Sequence, residues 1–188
     1  MEIYFLRHGA TDWNENLNEQ GVKDPKCQGR VDIPLNEKGI KQAYAAKEHL
    51  KDIKFDKVLC SPLTRAIQTC LIVCGDNVNI KIDNRLIERE FGEFEGVPRS
   101  QFNFKAFNNI HTQNFKSAET LQQVKKRVFD LLDELNQNPE QNILIVSHGG
   151  LGCVFTSYFK GEPENGDYSL YELPHGKPTI FNFLEKQL

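Results

Sequence analysis

The sequence has no run approaching the ~20 continuous apolar residues of a membrane-spanning helix, so a membrane span is not expected. It has no basic surplus either. Its 23 Lys and Arg stand against 26 Asp and Glu, a net charge of -3, which argues against a nucleic-acid partner and leaves room only for a local basic pocket. The five Cys are odd in number and form no CxxC pair. A disulfide scaffold and a structural zinc site are therefore unsupported, and reduced cytoplasmic thiols are the reading. Met1 to Leu6 lacks the basic start and cleavage site of a secretory signal. HExxH, an EF-hand loop and GxSxG are all missing, so neither a resident metal nor a serine hydrolase is expected. Gly161 to Gly166 has the outer spacing of a P-loop, but Asp167 stands where Lys is required. Cys60 to Arg65 is C-x4-R, one residue short of the cysteine-phosphatase cradle, so Cys60 is read as a buried thiol.

Apolar residues are plentiful. They make up 39% of 188 residues and include 13 Phe, enough to offset the ordering entropy of one domain spanning 1–188. Glu2 to Leu6, Lys57 to Cys60 and Asn142 to Val146 read as short buried strands. Gly39 to Ile53 reads as a helix. A second helix is expected from Ser61-Pro62, as N-cap and first residue, to about Cys74, with Gly75 as its stop. Thr120 with Gln123 forms a capping box before the stripe Leu121, Val124, Val128, Leu131, Leu132, Leu135. A helix to about Phe159 follows His148-Gly149-Gly150, and Ser169 to Leu173 and Thr179 to Leu184 read as closing strands. Alternating strands and helices predict an α/β fold, a three-layer α/β/α sandwich on a mostly parallel sheet. The segment from Gly96 to Phe115 reads as either a helix or a mobile lid.

Ligands of open α/β sheets bind beyond the carboxyl ends of the strands. Three such ends carry Arg7-His8-Gly9, Ser61 with Arg65 one turn on, and His148-Gly149-Gly150. Two imidazoles, two guanidiniums and two helix N-termini would then form a compact anion site suited to phosphate. A lone His at a strand end is usually structural. Two of them, each followed by Gly, are harder to explain as core, and neighbouring Arg charges would keep a ring nitrogen free to attack. Cys70 and Cys74, one helical turn apart, read as a packing pair. His49, His111 and His175 read as surface or loop residues, with His111 the best of them for a minor substrate contact. Asp12, Lys23 and Arg30 are candidates for tuning substrate charge, although most such residues are merely solvated.

Over nearly its whole length the sequence resembles the histidine phosphatase, or phosphoglycerate-mutase-like, superfamily. The resemblance rests on Leu6-Arg7-His8-Gly9-Ala10-Thr11, Trp13-Asn14, Gln28-Gly29, Asp32 to Gly39 and Ser61-Pro62-Leu63-Thr64-Arg65-Ala66. It continues through Leu86-Ile87-Glu88-Arg89-Glu90-Phe91-Gly92, Ala118-Glu119-Thr120 and Val146-Ser147-His148-Gly149-Gly150. It implies that His8 is the nucleophile that becomes phosphohistidine and that Arg7, Arg65 and His148 hold the phosphoryl oxygens. Glu88 is implied as proton donor, which a nearby phosphate anion and partial burial would keep protonated. Asn14 is implied as a phosphate ligand, Thr11, Gln28, Gly29 and Gly149 as pocket residues, and Glu119 as part of the scaffold. The bland reading of Glu88 is a surface ion pair with Arg85 or Arg89.

The implied activity is hydrolysis of a small phosphorylated metabolite, without metal or cofactor, by a cytoplasmic monomer or homodimer. Two alternatives stand beside it. One is a 2,3-bisphosphoglycerate-dependent phosphoglycerate mutase; the other is a non-catalytic phospho-ligand-binding domain. Mutases of the family carry a longer insertion with basic residues before the Glu119-like motif. Here only 31 positions separate Glu88 from Glu119, with Arg99, Lys105 and Lys116 between them. A shorter cover leaves a phosphohistidine open to water, which favours the phosphatase. Segments 16–27 and 97–116 are expected to flank the substrate and set its choice. Phe102, Phe104, Phe107 and Phe115 are read as core, with an apolar wall for the substrate as the alternative.

Overall fold

In the strand β1 (Glu2–Arg7) apolar side chains alternate between two destinations. Ile3 and Phe5 enter one core, Tyr4 and Leu6 the other. A computed structural model describes residues 2–75, 78–112, 115, 117–137 and 142–183. Strand β4 (Ile143–Ser147) divides in the same way, Ile143 and Ile145 against Leu144 and Val146. A strand that is apolar on both faces has to be covered on both. Helices α1 (Glu37–Leu50) and α2 (Thr64–Cys74) supply one layer through Ala46, Leu50, Ala66, Cys70 and Val73. Helices α4 (Leu121–Asn136) and α5 (Gly149–Lys160) supply the other. The sheet order is β3-β2-β4-β1-β5, with β2 at Lys57–Cys60, β3 at Ile80–Ile82 and β5 at Pro178–Asn182. Every pairing is parallel except β1 with β5. This is the expected three-layer α/β/α arrangement.

Local signals account for most boundaries. Thr120 and Gln123 exchange their capping-box bonds, and Gln123 Oε1 accepts the Thr120 N–H at 2.8 Å. All six predicted stripe residues of α4 are buried. Three expectations need correction. Helix α2 begins at Thr64 with Leu63 as N-cap, because Ser61 stays at the strand end, where its hydroxyl meets His148. The predicted strand from Ser169 to Leu173 is instead a 3-10 turn, Tyr168–Tyr171, capped by the Asp167 carboxylate accepting from Ser169. Helix α1 starts at Glu37 rather than Gly39, behind the N-cap Asn36 whose side chain accepts the Gly39 N–H, and it ends at Leu50 rather than Ile53. The edge strand β3 was not anticipated; two of its three residues are exposed, so it carries little apolar pattern. Leu184, the predicted end of the last strand, lies outside the described residues.

The segment from Gly96 to Phe115 is neither one helix nor a bare loop. It contains a 3-10 turn at Arg99–Gln101 and the short helix α3 (Phe104–Phe107). Phe107 is fully buried, and Phe94, Phe102 and Phe115 surround it in edge-on and tilted contacts. Most of these rings are therefore core. Phe104 alone of the four singled out reaches the cavity described below, where the Arg99 guanidinium stacks on it at 4.3 Å. Among the described residues no helix is long and apolar enough to cross a membrane.

Candidate active site

Strand register brings the predicted groups together. Arg7 pairs with Ser147 and Cys60 with Val146, so β1, β4 and β2 end at one level. The ladder extends one step past the strands: the His8 N–H donates to the Ser147 carbonyl at 2.9 Å and the Ser61 N–H to Val146 at 3.0 Å. His8 and His148 thus leave adjacent strands side by side, with ring centroids 5.1 Å apart. Gly9 permits this turn. A Cβ there would lie 2.3 Å from the Gly39 carbonyl oxygen, so the end of β1 and the start of α1 touch backbone to backbone.

His8 is 3% exposed and has one ring nitrogen committed. Its Nδ1 lies 2.7 Å from the Gly9 carbonyl oxygen. A carbonyl can only accept, so Nδ1 carries the proton. Burial, then the charges of Arg65 and Arg7 with the two other imidazoles, holds His8 well below the ordinary histidine value. The ring is therefore neutral at physiological pH, and Nε2 keeps its lone pair.

Cations surround that lone pair without being fully satisfied. Arg65 is fully buried, donates to the Val31 and Gly29 carbonyls at 2.8 Å each, and makes no ion pair among the described residues. Burial lowers its pKa to about 10. Arg7 donates from one nitrogen to Glu172 at 3.0 Å and to the Leu173 carbonyl at 2.7 Å. The Nε atoms of Arg7, Arg65 and Arg99, Nδ1 of His148 and Oε1 of Gln28 are buried without a hydrogen-bond partner. Orphaned buried polar groups are costly, and a cluster of them around one point marks where a ligand belongs. A tetrahedral oxyanion supplies acceptors for the guanidinium donors, whereas Gln28 Oε1 is itself an acceptor and needs a donor such as a ligand hydroxyl.

Glu88 faces the same cavity from the irregular chain after the 3-10 turn Asn84–Leu86. It is buried, and its carboxylate accepts the N–H groups of Arg89, Gly150 and Leu151 at 2.8, 3.0 and 2.8 Å. It is not in the surface ion pair considered from the sequence. Arg85 pairs with Asp83 and Glu134, and Arg89 donates to the Glu119 and Phe107 carbonyls. Two glycines make room at the start of α5. A Cβ on Gly149 would stand 2.7 Å from Arg7 Cζ, and one on Gly150 would stand 2.9 Å from Glu88 Oε1.

The model of the histidine phosphatase superfamily (branch 1) matches residues 3–187. The uncharacterized phosphatase PhoE of Bacillus subtilis is 34% identical over 166 residues, 86% of this chain and 79% of that protein. The chain belongs to the histidine phosphatase superfamily. Fructose-2,6-bisphosphatase TIGAR B of Danio rerio is 38% identical over 145 residues, 72% of this chain and 53% of that one. Among solved structures, a phosphoserine phosphatase mutant of Entamoeba histolytica in complex with phosphoserine superposes with a TM-score of 0.80 at 26% identity. That match covers 97% of this chain and 90% of that one.

In this histidine phosphatase the cavity, about 550 Å³ counted out to open solvent, is lined by Arg7, His8, Asn14, Gln28, Gly29, Arg65, Glu88 and Gly149 of the predicted set. Thr11 and His148 stand behind that wall. Thr11 donates through its N–H and hydroxyl to Asn14 Oδ1 at 3.0 and 3.1 Å, which leaves the Asn14 amide NH2 for a ligand. His148 Nε2 is 2.6 Å from Ser61 Oγ. Cys60 lies in the core under α1 and α2, away from the cavity. His111 is exposed beside Gly166, and Asp12, Lys23 and Arg30 do not line the cavity.

His175, expected at the surface or in a loop, packs instead against His8, and Glu172, not singled out from the sequence, lines the cavity. The His175 ring lies 5.3 Å from that of His8, and its Nδ1–H donates to the His8 carbonyl at 3.0 Å. Burial and the Arg7 charge lower its pKa to about 3. Antiparallel pairing sets Pro178 against Leu6, so the residues before β5 must pass the end of β1. That pairing was the only available signal. Segments 16–27 and 97–116 are tied together: Ser100 donates to Asp24 at 2.6 Å, and the Cys27 N–H to the Val97 carbonyl at 3.0 Å. They bring Lys26, Cys27, Arg99, Phe104 and Asn108 to the cavity wall. Lys116 lies outside the described residues.

Proposed function

We propose that this chain is a phosphatase of small phosphomonoesters that works through a phosphohistidine on His8. The observation that carries the reading is the locked tautomer: Nδ1–H is spent on Gly9, and Nε2 is a buried, unprotonated nucleophile among unsatisfied cationic donors. In the first step Nε2 attacks phosphorus, the P–N bond forms and the P–O ester bond breaks. Glu88 gives its proton to the leaving alcohol oxygen. The imidazole gains positive charge in this step, and its Nδ1–H bond to the Gly9 carbonyl strengthens with that charge. Arg7, Arg65 and the Asn14 amide take the phosphoryl oxygens. With His148 Nε2 as the acceptor of its 2.6 Å contact with the Ser61 hydroxyl, the His148 proton sits on Nδ1 as a further donor. In the second step water attacks phosphorus, the P–N bond breaks and Glu88 recovers a proton from that water. Inorganic phosphate leaves.

The test is phosphate release in EDTA from p-nitrophenyl phosphate, 3-phosphoglycerate, nucleotides and sugar phosphates, with a parallel mutase assay. Wild type should release phosphate and form an acid-labile, alkali-stable phosphoenzyme. His8→Ala should lose at least about 10³-fold and form none. Efficient phosphoglycerate isomerisation without release would replace this reading with the mutase. Silence of a folded protein in both assays would replace it with a binding domain.

A further inference from the structure

Glu88 sits on chain that is neither helix nor strand, yet a proton donor must be held within hydrogen-bond reach of one leaving oxygen. Three backbone N–H groups hold its carboxylate, but something has to hold its backbone. Arg127, on the flank of α4 between the buried Val124 and Val128, does so. One guanidinium nitrogen donates to the Arg85 and Ile87 carbonyls at 2.6 and 2.7 Å, the residues on either side of Leu86. The other two donate to both oxygens of Glu119 at 2.8 and 3.0 Å. Both side chains of that fork are largely buried, 15% exposed for Arg127 and 12% for Glu119. Burial pushes the Glu119 carboxyl up. Its bonds to Arg127 and the charges of Arg127 and Arg30 outweigh that and leave it below the ordinary carboxylate range.

The same carboxylate reaches the far side of Glu88. Glu119 Oε2 accepts the Glu90 N–H at 3.3 Å and the Arg30 guanidinium at 3.2 Å, while Arg30 Nε donates to the Glu88 carbonyl at 3.3 Å. Ser147, at the end of β4, donates to the Leu86 carbonyl at 2.8 Å. The chain from Arg85 to Glu90 is thus clamped between α4 and the strand that delivers His148. Arg127 does not line the cavity, although its charge reaches His148.

We infer that Arg127 is a positioning residue for proton donation: its fork to the Arg85 and Ile87 carbonyls and to Glu119 fixes the chain from which Glu88 reaches the leaving oxygen. This rests on the reading of Glu88 as proton donor. It makes a claim that a general structural role does not make. A poor leaving group such as an alkoxide needs the proton, whereas p-nitrophenolate leaves largely without it. Displacing Glu88 should therefore penalise alkyl esters selectively.

The experiment compares kcat/KM of wild type, Arg127→Gln, Glu88→Gln and the double variant on p-nitrophenyl phosphate and on an alkyl phosphate such as glycerol phosphate. This parameter reads the step in which the leaving group departs, so hydrolysis of the phosphoenzyme does not enter it. Arg127→Gln should lose about 10- to 100-fold on the alkyl ester and under about 3-fold on the aryl ester, within the range that general acid catalysis commands. The double variant should fall no further than Glu88→Gln alone, because residues that act as one unit are not additive. Equal losses on both esters, no loss on either, or multiplicative losses in the double variant would each overturn the inference. If Arg127→Gln does not fold, Arg127→Lys, which keeps the charge and loses the fork, carries the same test. If Glu88→Gln itself shows no preference between leaving groups, the assignment of Glu88 fails. The outcome for Arg127 is then read only after that result.

Discussion

The floor and the outer wall of the cavity are built on different principles. The floor consists of Arg7, His8, Ser61 and His148, all at the ends of parallel strands whose register is set by apolar residues alternating into two cores. Its polar groups are over-supplied with donors and short of acceptors. The outer wall consists of Lys26, Cys27, Arg99, Phe104 and Asn108, on loops, a 3-10 turn and the one-turn helix α3. It is held by a cluster of phenylalanines and by side-chain clips such as Ser100 on Asp24. Two pocket-wall thiols, Cys27 and Cys153, are pushed up to about 12 by burial, so they stay protonated and line the wall as small apolar groups. On the proposed mechanism the nucleophile and the phosphate ligands rest where the backbone is most constrained, and the organic group of the substrate meets the part where sequence can change without disturbing the sheet.

Truncation is the largest way to break this contrast. Leu131→Ala, in the sheet-side core, should cost about 2–5 kcal/mol, and Phe107→Ala, at the centre of the wall cluster, about 3–5 kcal/mol of unfolding free energy. Urea melts measure both. The contrast lies in the second readout. The Leu131 variant should keep its order of preference across the ester panel under conditions where it is folded, and the Phe107 variant should reorder it. Identical reordering in both would show that floor and wall are one unit.

Acid should act on the floor first. His8, His148 and His175 all bind protons less readily folded than unfolded. Below the ordinary histidine value of about 6.5 the unfolded chain therefore holds more protons, and lowering the pH favours it. Stability should be full above about pH 6.5 and fall through the window toward about pH 3, by up to about 1.4 kcal/mol per pH unit for each histidine that stays neutral. Carboxylates such as Glu119 and Glu172, held below their ordinary range, give up their share only near and below pH 4. Melts between pH 7.5 and 4.5 thus isolate the histidines, and a flat profile there would contradict the buried neutral cluster.

The smallest expected effect is Phe104→Ala. Its ring is half-buried between the cavity and Arg99, so stability should change by about 1 kcal/mol. KM should shift several-fold for esters with a bulky alcohol and little for the smallest ones. A uniform KM change would place Phe104 with the floor instead of the wall.

The sequence by itself determined the layers and most of the floor. Residues alternating at period two in β1 and β4 require cover on both faces, and the His-Gly pairs at their ends fall at one sheet edge whatever the loops do. The stripe of α4 and the capping box at Thr120 were equally legible, because each is a local pattern with one physical solution. Tertiary structure alone decided the rest. His175 reaches His8 through the antiparallel pairing of β5 with β1, across more than 160 positions, and local propensity carries no trace of such a partner. The Tyr168–Tyr171 turn took a segment with strand-like composition because Asp167 caps it and α5 packs against it. Arg127 belongs to no motif singled out in the sequence. Besides Glu119, its partners are backbone carbonyls some forty positions away, and a carbonyl has no identity that a sequence can show.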